Sequence, residues 1–164
     1  FYLSWLADQY RDAGDYGKAI ELAESVIALS PKYPVAWLAL GNVYLDQGRY
    51  DEAIAAHEKL AHIPFWAFAL GQTYAWAGQP EKALEVAQGY EKESGKEIPL
   101  AIIYAALGDV ENTLYWSAQA REKRLPWALG MFSYFTATRS LYEDPRIQAE
   151  AERYPTPLVP YPKG

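Results

Sequence analysis

Six columns of residues recur down this chain at one shared set of spacings, and that periodicity limits its fold more than any other feature. Tyr10, Tyr44, Tyr74 and Tyr104 stand 34, 30 and 30 residues apart. Gly14, Gly48, Gly78 and Gly108 repeat those intervals, as do Leu6, Leu40, Leu70 and Leu100. So do the small residues Ala7, Gly41, Gly71 and Ala101, then Ala19, Ala53, Ala83 and Thr113, then Ile20, Ile54, Leu84 and Leu114. A period of this length marks an array in which one supersecondary unit stacks on the next.

Each column has a task in a helical hairpin. Leu, a small residue, and Tyr three positions later share one face of a helix. The small residue lets a second helix come close. Gly four positions after Tyr ends the helix, because it tolerates the left-handed conformation of a C-terminal cap. An acidic or Pro-bearing start follows at Asp15, Asp51, Pro80-Glu81 and Asp109, which suits the first turn of a new helix. The Ala column marks where that second helix meets the first.

The fullest copy runs Trp37-Leu38-Ala39-Leu40-Gly41-Asn42-Val43-Tyr44, then Gly48, Tyr50, Ala53 and Ile54. It resembles the tetratricopeptide repeat, and the resemblance covers residues 1 to about 122. It implies an all-α fold, a right-handed α-solenoid of about four helical hairpins. The repeats fall at about 1–33, 34–63, 64–93 and 94–125, with capping helices and a Pro-rich tail over 126–164. Repeat 4 departs from the pattern, with Ala101 in place of Gly, Thr113 in place of Ala, and no early Trp. Such drift suits a terminal unit whose outer face has no neighbour.

The spacing also locates an irregularity. Ala19 to Leu40 spans 21 residues, but Ala53 to Leu70 and Ala83 to Leu100 span 17. The missing four residues are close to one helical turn, so each apolar stripe keeps its phase to within about 40°. A second helix shortened by about one turn, or a tighter connection, is expected in repeats 2 and 3.

Beyond residue 125 the pattern changes. Leu125-Pro126-Trp127 breaks the preceding helix, and Trp127 to Arg139 reads as an apolar helix able to cover the open end of the stack. Asp144-Pro145-Arg146-Ile147 opens a last short helix with Pro in its first turn. The stretch Leu141 to Ile147 is similar to the LRxDPRF segment that closes tetratricopeptide regions attached to bacterial adenylate cyclases and winged-helix regulators. With the start at Phe1, in mid-pattern and without Met, it implies a piece of a longer signalling protein. Tyr154 to Pro162 is too Pro-rich for helix or sheet and reads as an extended tail.

Chemistry is sparse. The net charge is −6 and no Lys/Arg cluster exceeds the single turn Arg121-Glu122-Lys123-Arg124, which argues against a nucleic-acid partner. No apolar run approaches the roughly 20 residues of a membrane span. There is no Cys, which rules out disulfides and thiolate catalysis and fits either side of a bacterial inner membrane. His57 and His62 are five apart, which turns the second imidazole about 140° from the first rather than onto one metal. The carboxylate pairs sit at helix ends or wet faces, and no phosphate-binding Gly loop or nucleophile elbow occurs. The expectation is a non-enzyme with no cofactor and no metal.

In tetratricopeptide proteins the first helix of each repeat lines the inner, concave wall. Carried through this chain's own columns, the resemblance places Ser4, Asp8, Arg11 and Asp12 there from repeat 1, and Leu38, Asn42, Leu45 and Asp46 from repeat 2. Repeat 3 gives Phe68, Gln72, Ala75 and Trp76, and repeat 4 gives Ile98, Ile102, Ala105 and Ala106. Asp8, Arg11, Asp12, Leu38, Asn42, Asp46, Phe68, Gln72 and Trp76 are the candidate partner-binding residues. Asn42 can offer a donor and an acceptor to a peptide backbone, and Phe68 and Trp76 are either anchors or covered by neighbouring helices. The Lys, Asn and Arg clamp by which some family members hold a terminal carboxylate is broken, since Ser4, Phe65 and Ala69 fill its basic positions. The implied partner is a protein or peptide of basic or apolar character, with self-association left open.

Overall fold

The computed structural model describes residues 2–90, 92–93, 95–130, 132 and 135–154. These residues form ten α-helices and three 3-10 turns, with no strand among them. Four hairpins follow one another. They are α1 (Tyr2–Asp12) with α2 (Tyr16–Leu29), α3 (Pro34–Asp46) with α4 (Tyr50–His57), α5 (Phe68–Trp76) with α6 (Pro80–Tyr90), and α7 (Glu97–Ala106) with α8 (Val110–Glu122). Each hairpin packs on the next: α2 on α3, α4 on α5, α6 on α7. This is the all-α stack that the columns imply.

The columns explain the hairpins atom by atom. Gly14, Gly48, Gly78 and Gly108 have φ between +70° and +78°, a backbone state that costs other residues 1–2 kcal/mol or so. That reversal lets the residue after each Gly donate its N–H back to the Tyr column. Asp15, Arg49 and Asp109 reach the carbonyls of Tyr10, Tyr44 and Tyr104 at 2.9 Å, and Gln79 reaches Tyr74 at 2.8 Å. Otherwise unpaired carbonyls at the helix end are thereby satisfied. The Tyr ring does a second job, because a cation from the next helix start lies over it. Lys18 sits over Tyr10 at 5.2 Å, Arg49 over Tyr44 at 4.3 Å and Lys82 over Tyr74 at 5.2 Å.

The small columns are where helices touch. Ala7, Ala19, Ala53, Ala83, Ala101 and Thr113 are all fully buried. Thr113 is tolerated in the Ala column because its hydroxyl donates to the Asp109 carbonyl at 2.7 Å, leaving no polar group unpaired. The shortening shows in the second helices: α4 has 8 residues and α6 has 11, against 14 in α2. After α4 the chain closes the gap with two 3-10 turns, Glu58–Leu60 and Pro64–Trp66. Those turns bring Phe65, Trp66 and Phe68 together, with Phe65 edge-on to Trp66 at 5.1 Å and to Phe68 at 6.2 Å.

The segment after α8 differs from the single apolar helix expected over Trp127 to Arg139. Trp127 has φ +69°, a 3-10 turn covers Ala128–Gly130, and Phe135 is extended before the four-residue helix α9 (Thr136–Arg139). The physical reason lies in its destination. Helix α9 packs on α7, on the inner wall of the stack, and the chain must turn to get there. Helix α10 (Pro145–Ala151) then returns to α8, and the Tyr154 hydroxyl donates to the Ser117 carbonyl at 2.9 Å. The extended tail expected at Tyr154 to Pro162 lies, past Tyr154, outside the described residues.

Candidate functional site

Helices α1, α3 and α5 wall a cavity of about 260 Å³ on the inner side of the stack. Seven of the nine candidate residues line it: Asp8, Arg11, Asp12, Leu38, Asn42, Phe68 and Gln72. Asp46 and Trp76 do not. The remaining wall is largely aromatic: Trp5, Phe65, Trp66, Trp127 and Phe135, with Gln9, Val35 and Thr136. Trp5 and Trp127 are 53% and 55% exposed at the cavity. Phe65, Trp66 and Trp127 also line a neighbouring cavity of about 550 Å³ beside Tyr90 and Pro99, which makes these rings a ridge between two hollows.

Not all the lining residues are open to a partner, and of the two alternatives for Phe68 the covered one holds. Phe68 is 2% exposed because Phe135 packs edge-on against it at 5.8 Å. Gln72 is buried, and so are Ile98, Ile102 and Ala105 from repeat 4. The C-terminal segment has filled the inner wall of repeats 3 and 4 with the chain's own side chains. Ser4 and Leu45 are buried in the stack as well. Trp76 is half-buried. What remains open is the half of the groove formed by α1, α3 and the rings around Trp66.

Arg11 is also buried rather than free. Its guanidinium holds Asp8 at 3.1 Å and Asp12 at 3.1 Å, and its Nε lies 3.4 Å from Asp46 Oδ2. The last contact is an ion pair without hydrogen-bond alignment, since Nε has no hydrogen-bond partner. Arg139, from α9, approaches Asp12 at 3.9 Å. Arg11 therefore organises three carboxylates into one acidic wall. Burial pushes the Asp8 carboxyl above its usual range; Arg11 opposes this, while Asp12 and Asp46 add to it. Asn42 is half-buried on the opposite wall.

Behind the cavity, His57 at the end of α4 is wedged between α3 and α5. It is fully buried, with Nδ1 2.7 Å from the Thr73 hydroxyl and Nε2 3.4 Å from the Leu38 carbonyl. The Thr73 hydroxyl also lies 2.9 Å from the Ala69 carbonyl, to which it donates. Burial lowers the His57 pKa to about 4, which leaves the ring neutral at pH 7. The ring thus serves packing, and His62 is exposed on the far side of a turn. The segment Leu141 to Ile147 likewise acts locally. Asp144 caps α10 by accepting from the Arg146 N–H at 2.8 Å, and the Arg146 guanidinium also pairs with Glu111 on α8.

Comparisons with known proteins agree with this architecture. The tetratricopeptide repeat model matches residues 10–63. The chain is also 41% identical over 58 residues to the heat-shock protein cognate (HSC) co-chaperone sgt12 of Aspergillus fumigatus. That match covers 35% of this chain and 17% of the fungal protein, so it speaks for the repeats and not for the whole relative. No helix among the described residues is long and apolar enough to cross a membrane. Residues 10–63 match the tetratricopeptide repeat, and the same hairpin geometry continues beyond them to Glu122.

Proposed function

We propose that this chain is a non-catalytic protein-interaction module whose inner groove holds a basic or apolar segment of a partner protein. The observation that carries the reading is the cavity between α1, α3 and α5, lined by Asp8, Asp12 and Asn42 together with the half-exposed side chains of Trp5 and Trp127. Aromatic anchors beside adaptable polar groups are the composition of energetically productive interfaces. The similarity to a co-chaperone supports a protein partner. The partner differs from one held by its terminal carboxylate, because Ser4, Phe65 and Ala69 supply no cation. The attachment to a cyclase or winged-helix regulator suggested by Leu141 to Ile147 gains no support from the structure, where those residues cap and tether α10.

Asn42 provides the test, because its side chain faces the cavity and is not part of the buried core. In affinity capture from its native lysate, quantified by mass spectrometry, Asn42→Ala should lower recovery of the specific partner by about tenfold, equivalent to about 1.4 kcal/mol. Its melting temperature should stay within about 2 °C of the parent, as for a surface change. Equal recovery with both proteins, or loss of fold in the variant, would remove Asn42 from the binding wall.

A further inference from the structure

We propose that the cavity of about 550 Å³ beside the groove is a seat for the chain's own proline-rich segment, residues 155–162, in polyproline II form. This goes beyond the groove proposed above and does not rest on it. Phe65, Trp66, Tyr90, Pro99, Pro126 and Trp127 line the cavity. Polyproline II segments dock on such hollows of aromatic rings, because that helix is already ordered and has little entropy to lose. Its backbone makes no internal hydrogen bonds, so its carbonyls stay available to donors on the surface it meets. The chain twice satisfies a proline carbonyl from an aromatic side chain. Trp37 Nε1 donates to the Pro31 carbonyl at 2.8 Å, and the Tyr90 hydroxyl donates to the Pro64 carbonyl at the cavity itself. The indole N–H groups of Trp66 and Trp127 have no acceptor among the described residues.

Composition and starting point select the occupant. The segment reads Pro155-Thr156-Pro157-Leu158-Val159-Pro160-Tyr161-Pro162. At three residues per turn, Pro157 and Pro160 share one edge and Pro155, Leu158 and Tyr161 the next, so two adjacent edges are apolar. The segment also starts beside the cavity. Tyr154 is buried on α8, its hydroxyl donating to the Ser117 carbonyl at 2.9 Å and its ring 6.0 Å from the Arg121 guanidinium. Leu125, which lines the cavity, follows Arg121 by four residues, at most about 15 Å of chain. Six residues of polyproline II beyond Tyr154 span about 19 Å, so Pro157 to Pro160 come within reach of the rings. Tethering at this range raises the effective concentration to about millimolar, so modest affinity suffices to fill the seat.

The test is fluorescence polarisation of a labelled synthetic peptide of residues 154–164, titrated with the full chain and with the full chain carrying Pro157→Asp and Pro160→Asp. The peptide should bind the double variant, and bind the parent about tenfold or more weakly, because the tethered copy competes. In the double-variant background, Pro126→Asp and, separately, Trp127→Ala should each weaken the peptide about tenfold, with circular dichroism reporting intact helices. Both side chains are exposed, so one variant failing to fold leaves the other decisive. Asn42→Ala, in the other cavity, should change the affinity by less than about twofold. No binding to the double variant, or binding insensitive to both Pro126→Asp and Trp127→Ala, would overturn the seat. Equal affinity for parent and double variant would show that the cavity takes such segments only from other molecules, and would overturn the tethered occupant. A parent dimer in light scattering that becomes monomeric in the double variant would assign the seat to a second copy and overturn it likewise.

Discussion

Replacing Gly41 by alanine is expected to destabilise the fold by about 3 kcal/mol or more. A Cβ at Gly41 would lie 2.2 Å from His57 Nε2, 2.3 Å from Cδ2 and 2.8 Å from Cε1. The imidazole has little freedom to move away, being fully buried and held by Thr73. Helices α3 and α4 would have to part, or the ring would have to leave and forfeit its hydrogen bond. The same column accepts Ala7 and Ala101, both fully buried, so the intolerance belongs to the His57 contact and not to the position in the repeat. Gly71→Ala is milder, about 1–2 kcal/mol, because its Cβ would meet Ile103 Cδ1 and Cγ1 at 2.9 Å and Val86 Cγ1 at 3.2 Å, longer approaches than those at His57. Urea unfolding midpoints measure both. Adding His57→Ala to Gly41→Ala should recover at least about 1 kcal/mol of the loss, as expected for residues in contact.

Stability should also fall on mild acidification, and His57 should account for the slope. Burial lowers its pKa from 6.5 to about 4 in the folded chain. Between those values the unfolded chain binds a proton that the folded chain refuses, so unfolding is favoured increasingly as pH drops. Above pH 6.5 both states are neutral and the effect vanishes; below about 4 it is complete. The full loss is about 3 kcal/mol, since each pH unit between the two values contributes roughly 1.4 kcal/mol. Asp8, whose carboxyl is raised by burial, works in the opposite sense, because a raised carboxyl gains stability as pH falls through its folded value. The His57 contribution is therefore read as the difference between the parent and His57→Gln. Unfolding midpoints at pH 7, 5.5 and 4.5 should converge for the two proteins as acid is added. Parallel pH profiles would show that the ring takes up its proton as readily in the fold as in the unfolded chain.

These two residues mark where the sequence was legible and where it was not. The Gly column could be read as left-handed caps because only local backbone geometry is involved, and all four adopt it. The short α4 and α6 could be read from a spacing difference, because apolar stripes keep phase only if whole turns are lost. The inner-wall position of Asp8, Leu38 and Asn42 followed from the tetratricopeptide resemblance carried through the repeat columns. Which alternative held for Phe68, anchor or covered ring, could not be read that way. It depends on where Phe135 comes to rest, a long-range contact that no repeat column encodes. The apolar run from Trp127 to Arg139 suggested a helix because composition is blind to the extended turn at Phe135. Trp66 joined the site through the 3-10 turn Pro64–Trp66 in the connection after the short α4. The cluster Pro64-Phe65-Trp66 directly after the deletion was the available signal.

The central claim is that a partner segment lies in the groove between α1 and α3, beside the half-exposed tryptophans, and not on the outer face. Hydroxyl-radical footprinting of the complex with its bound segment reads this at single residues. Trp5 and Trp127, 53% and 55% exposed in the free chain, should lose most of their oxidation on binding, while Tyr115 on α8, 56% exposed, should keep its own. Protection of Tyr115 with Trp5 and Trp127 unchanged would place the partner elsewhere on the array and contradict the groove as its seat.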